Sequence, residues 1–147
     1  MTCLHFRHSV RTMAIVFQRI GGMMTTQVYP AILLQIERRE NSIRRMLLST
    51  PTRHYAEHFI PIPSPSEASD IQWISLVHGI RDAILMKERT VHIQMDNPDI
   101  VHAILTKNIP TESINTKYYN RMFMDWVAKT EWTGLRVCAM DTTDSKK

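Results

Sequence analysis

The segment VHIQM, residues 91–95, alternates apolar and polar side chains between two stretches of helical period. On its amino side, in DIQWISLVHGIRDAILMKE, the apolar residues Trp73, Leu76, Val77, Ile80, Ile84 and Leu85 recur at spacings of three and four. On its carboxy side, Pro98 suits the first turn of a helix whose apolar side is Ile100, Val101, Ile104 and Leu105. A strand entered and left through helices cannot be joined to its neighbours by tight hairpins. It belongs in the interior of a sheet, parallel to its neighbours and covered by helices. An all-β or all-α fold is thereby excluded.

The rest of the chain fills in that sheet. AILLQIE (31–37), SIRRMLLST (42–50) and RHYAEHFIPI (53–62) read as three strands joined by short polar turns, an antiparallel meander. PIPSPSEAS (61–69) carries three prolines at alternate positions and predicts a stiff, extended connection, with Ser66 or Ser69 as the cap of the helix that follows. Gly79 interrupts that helix. A glycine there costs about 1 kcal/mol relative to alanine, and it either permits close approach to the sheet or is simply tolerated. A third helix over 115–129 carries Tyr118, Tyr119, Met122, Phe123, Trp126 and Val127, a stripe expected to pack on the sheet. Trp132 stands near a turn, where exposure is expected. GLRVCAM (134–140) is the last strand, parallel and central like 91–95. The order is β-β-β-α-β-α-α-β, a mixed α/β domain over residues 27–147. Residues 1–26 form a basic extension or an extra strand, since TMAIVFQRI reads as a short strand.

Charge is uneven. Residues 1–53 hold eight arginines against Glu37 and Glu40, a local net charge of +6 within a chain of net +4. The arginines Arg38, Arg39, Arg44, Arg45 and Arg53 on the meander are the candidate contacts to RNA or DNA, because guanidinium forks suit phosphate. Arg44 and Arg45 point to opposite faces if they lie in a strand, so only part of the group can share a surface. The bland alternatives are hairpin solubility and edge protection. Residues 1–36 hold three arginines and no acid, a composition shared with organelle targeting segments. Two cysteines allow one disulfide without requiring it, so a reduced intracellular setting is the default. The seven histidines have no zinc spacing, and no metal site is expected from them. His78 and Asp82 lie one helical turn apart, but no nucleophile elbow accompanies them. No apolar run reaches the roughly 18 residues of a membrane span.

The order of elements and two local motifs resemble the ribonuclease H-like superfamily. In MDNPDIVHAIL, an aspartate at a strand end is followed by a small polar residue and a helix. In IQWISLVHGIRDAI, the residues Ile71, Gln72, Trp73, Ser75, Leu76, Gly79, Ile80 and Ala83 stand at the places of that family's first-helix motif, and Gln72 lies 24 residues before Asp96. The resemblance covers about residues 28–145. It implies a three-strand meander followed by alternating helices and parallel strands. It also implies a cluster of carboxylates that would hold two divalent ions about 4 Å apart for phosphodiester cleavage.

The carboxylates fall unevenly on this chain. Asp96 matches the strand-end aspartate. The first-strand acid falls on Gln35 or Glu37, and the helix glutamate falls on neutral Gln72, with Asp70 two positions upstream. Asp141 or Asp144 would approximate the last acid. Asp96 before Asn-Pro-Asp also reads as an ordinary helix cap. The resemblance with these departures implies a non-catalytic module that binds nucleic acid or scaffolds a nucleic-acid-handling assembly, with no cofactor. The alternatives are a divergent nuclease using Asp96, Glu37 and Asp70 with Mg or Mn, and a self-assembling protein-interaction domain.

Overall fold

The computed structural model describes residues 3–6, 15–20, 23–28, 30–108 and 114–140, with side chains over the last two ranges. The strands and helices are β1 (Cys3–Phe6), β2 (Ile15–Ile20), β3 (Met23–Val28), β4 (Ile32–Arg38), β5 (Ser42–Ser49), β6 (His54–Pro61), α1 (Ala68–Leu85), β7 (Thr90–Met95), α2 (Pro98–Thr106), α3 (Ile114–Lys129) and β8 (Gly134–Ala139). A single 3-10 turn, Pro65–Glu67, leads into α1. Asp141 and Asp144 lie outside the described residues, as does most of the basic arm around Arg7 and Arg11.

The main sheet has the order β1-β8-β7-β4-β5-β6. β4, β5 and β6 form the expected antiparallel meander, and β7 and β8 run parallel to β4 in the middle of the sheet. The expectation of a mixed α/β ribonuclease H-like architecture therefore holds for the core strands. The N-terminal region adds β1, antiparallel to β8, while β2 and β3 pair only with each other. Of these three strands, the sequence pattern foresaw one, at 15–20.

The period-two pattern sorts the sheet into two unlike faces. Ile32, Leu34 and Ile36 of β4, Ile43 and Leu47 of β5, Val91, Ile93 and Met95 of β7, and Leu135 and Val137 of β8 all join one core with the helices. Each such side chain contributes on the order of 1.5–3 kcal/mol through removal from water. The alternate residues, among them Gln35, Glu37, Arg44, His92 and Gln94, lie on the other face outside that core. Trp73 of α1 meets Phe123 of α3 edge-on at 6.2 Å between ring centroids. Trp132 is fully buried, against the expectation of exposure, because its indole N–H donates to the Val127 carbonyl at 3.0 Å and so folds the turn back onto the core. The α3 stripe is only partly core: Phe123 is buried, whereas Tyr118 is exposed.

Gly79 has a packing reason. A Cβ built there would lie 2.5 Å from a Leu34 methyl carbon, so the missing side chain lets α1 settle onto β4. The start of α1 differs from the expected serine cap. Glu67 occupies the N-cap with no side-chain cap bond, and Ser64 instead donates its hydroxyl to Glu67 at 3.1 Å. The preceding 3-10 turn already carries the chain into the helix, leaving Ser66 and Ser69 out of the cap position.

Candidate functional site

Parallel pairing of β4 with β7 brings Ile36 opposite Met95, and the next backbone bond runs from the Asp96 N–H to the Ile36 carbonyl at 3.3 Å. Asp96 is thereby fixed beside the carboxyl end of β4. Its two oxygens are both engaged. Oδ2 accepts the Arg38 backbone N–H at 2.7 Å, and Oδ1 accepts the Gln72 side-chain amide at 3.1 Å. Burial pushes the Asp96 carboxyl above the usual aspartate value. The charge of Glu37 adds to the rise, while the bonds from Arg38 and Gln72 pull the other way.

Asp96 is not the cap of α2, as the local pattern allowed. Asn97 is: its Oδ1 accepts the N–H groups of Asp99 and Ile100 at 3.0 and 3.4 Å, and Pro98 follows in the first turn. The Asn97 amide then donates to Gln72 Oε1 at 2.9 Å. Gln72 is buried at 3% exposure, and its two ends are both satisfied, one as donor to Asp96 and one as acceptor from Asn97. A relay of fixed polarity thus links the α2 N-terminus to the strand-end carboxylate.

Glu37 lies on the open face and is held by two guanidinium groups, Arg39 at 3.1 Å and Arg44 at 3.4 Å. Arg44 also forms a short ion pair with Glu57 and reaches Gln35 Oε1 at 3.4 Å. The Glu57 bond raises the basicity of Arg44 and lowers the Glu57 carboxyl. Gln35 donates to Gln94 Oε1 at 2.7 Å. Asp70 turns elsewhere and accepts a short hydrogen bond from the Thr116 hydroxyl on α3. Two positions along a helix is about 200° of rotation, so Asp70 cannot follow Gln72 toward Asp96.

The structure therefore gathers Asp96 and Glu37 at one end of the sheet and leaves Asp70 apart. It also divides the arginines. Arg38, Arg39 and Arg44 share the Asp96 end, Arg45 lies on the helix side of β5, and Arg53 sits in the turn at the far end of the β5–β6 hairpin. Gln94 and Asn97 were not singled out from the sequence. Gln94 has the same strand parity as Gln35 across the β4–β7 pair, a signal that only the register makes readable.

Magnesium-like ions need several anionic oxygens. Here one carboxylate faces an amide N–H and the other is neutralised by arginines. Among the described residues, no group of three or more His, Cys, Asp or Glu could hold a metal ion. The donor set among the described residues does not fit a two-ion centre.

No protein-family model matches this sequence, and the comparison with curated proteins found no match. Solved structures do match in fold. The N-terminal RNase H domain of Rv2228c from Mycobacterium tuberculosis, solved as a fusion with maltose-binding protein, superposes with a TM-score of 0.56 at 10% identity, covering 75% of this chain and 86% of that one. RNase H1 of the halophilic archaeon Halobacterium salinarum NRC-1 gives a TM-score of 0.49 at 10% identity, over 74% and 83% of the two chains. The fold is ribonuclease H-like. No described helix is long and apolar enough to cross a membrane.

Proposed function

We propose that this ribonuclease H-like domain is a non-catalytic module that binds nucleic acid, or holds it within a larger assembly. The observation that carries the reading is Gln72. It stands where the resemblance calls for a carboxylate, and its amide points a proton at Asp96. Replacing a ligand by a donor removes charge and adds an N–H facing the place a cation would take. The arginines support the binding half of the reading. Arg38 and Arg39 are exposed beside Asp96, at the end of β4, where phosphates would meet fixed positive charge.

The test combines binding and cleavage. Fluorescence anisotropy with single-stranded RNA, DNA and an RNA–DNA hybrid is expected to give affinity that falls with salt. Engagement of two or three phosphates corresponds to a log–log slope of roughly −2 to −3. Arg38→Gln with Arg39→Gln reduces that slope by about two. Melting temperature is expected to be unmoved by millimolar magnesium or manganese, since nothing that binds only the folded form would be added. Metal-dependent cleavage abolished by Asp96→Asn overturns the proposal in favour of a nuclease using Asp96 and Glu37. Absence of binding together with a stable dimer overturns it in favour of a protein-interaction domain.

A further inference from the structure

A cleft of mixed polar and apolar lining lies on the helix side of β5 and β6, where the last turns of α1 pass over the meander. It is about 210 Å³ and is lined by Arg45, His54 and His58, with Asp82, Leu47 and Leu85 among its walls. The strand register explains the grouping. Arg45 pairs with His58 and Ser49 with His54, so the two imidazoles share Arg45's face while Arg44 points away. Gln72 and Asp82 are ten residues apart on α1, about 15 Å along its axis, which separates this cleft from the Asp96 relay.

Arg45 is the unusual member. It is half-buried, yet it makes no hydrogen bond or ion pair with any described residue. Burial dominates its electrostatics and lowers its basicity. Asp82 acts in the opposite sense through space without forming an ion pair, and Arg81 adds to the lowering. A guanidinium half withdrawn from water keeps part of its hydration, and an anion in the cleft would add charge-assisted bonds on its buried side. A guanidinium fork flanked by two imidazoles offers donors from separate directions, which suits an oxyanion with several oxygens. The volume accommodates one phosphate group with a small organic substituent against Leu47 and Leu85.

We propose that this cleft binds a phosphate-class oxyanion, with Arg45 as the anchoring fork and His54 and His58 as flanking donors. The phosphate is either that of a small ester or a backbone phosphate of a nucleic-acid strand. The site lies on the sheet face opposite Arg44 and about 15 Å along α1 from the residue that bonds Asp96, so it does not depend on the function proposed for that end. Asp82 opposes the anion, and its removal provides a test of opposite sign.

NMR titration of the full chain with inorganic phosphate, against sodium chloride at matched ionic strength, tests the site. A saturable shift at the Arg45 side-chain N–H and the His54 and His58 rings is expected with phosphate and not with chloride. Arg45→Met should weaken binding roughly tenfold or more, Arg45→Lys by less, and Asp82→Asn should strengthen it severalfold. His58→Gln provides a second weakening variant if Arg45→Met does not fold. Competition by a single-stranded RNA 12-mer identifies a backbone phosphate as the source, and absence of competition identifies a small ester. A response to phosphate no larger than that to chloride overturns the proposal, as does unchanged affinity in folded Arg45→Met.

Discussion

Asp96 illustrates how one side chain is read differently by local and tertiary chemistry. The string MDNPD offers two capping residues in a row, and the helix takes Asn97. That frees Asp96 to accept from Arg38 and Gln72, two partners far away in the chain. Its raised carboxyl has a defined consequence for stability. The folded state holds the Asp96 proton more firmly than the unfolded chain does. The contribution is therefore present at low pH and is lost as pH rises from the ordinary aspartate value of about 4 through the raised folded one. In urea unfolding from pH 3 to 7, wild type should lose stability relative to Asp96→Asn as pH rises across that window. A difference that grows in favour of wild type would mean that the two donors outweigh burial. Gln72 itself was visible in the sequence as a neutral residue at an acid's place. Its second bond, to Asn97, was not, because side-chain amides 25 residues apart leave no periodic trace.

At the level of elements, periodicity located most of the secondary structure. It ran to within three residues of the observed ends, since apolar spacing reports burial directly. It did worst where burial depends on a single tertiary bond. Trp132 sits in a loop whose composition suggests exposure, and one indole hydrogen bond draws it into the core. Gly79 is the converse case, a residue of poor helix propensity placed where the helix touches β4. Gly79→Ala should destabilise the domain by about 1–3 kcal/mol despite alanine's better propensity, because the methyl would overlap the fully buried Leu34 side chain. Leu34→Ala alone should also be destabilising, by about 2–5 kcal/mol. The double variant should be more stable than the sum of the two predicts, because each change makes room for the other. Additive losses in chemical denaturation would show that α1 shifts instead.

On the scale of the whole molecule, the alternation of strands and helices around residues 91–95 was enough to predict a parallel centre and an antiparallel flank, as observed. The pairing of β1 beside β8 was not legible, because a four-residue strand carries too little pattern to name its partner. β1 is expected to shield the outer edge of β8. A variant lacking residues 1–6 should retain the circular dichroism of the mixed sheet but self-associate more readily, through the backbone groups left open along β8. Sedimentation velocity would check this, and an unchanged monomer would show that the edge is protected some other way. The Cys138 sulfur is disulfide-bonded, and its Cα partner across the β1–β8 pair is Cys3, so reducing agent belongs among the conditions compared.

The same pairing sets an order of events during synthesis. Phe6 meets Leu135, so β1 and its partner are separated by roughly 130 residues of chain. At bacterial-to-eukaryotic elongation rates of about 5–20 residues per second, β1 waits on the order of ten seconds before β8 exists. The meander can close within the first part of that interval, because its contacts are local. One edge strand of the sheet is therefore made well before the only described strand it pairs with.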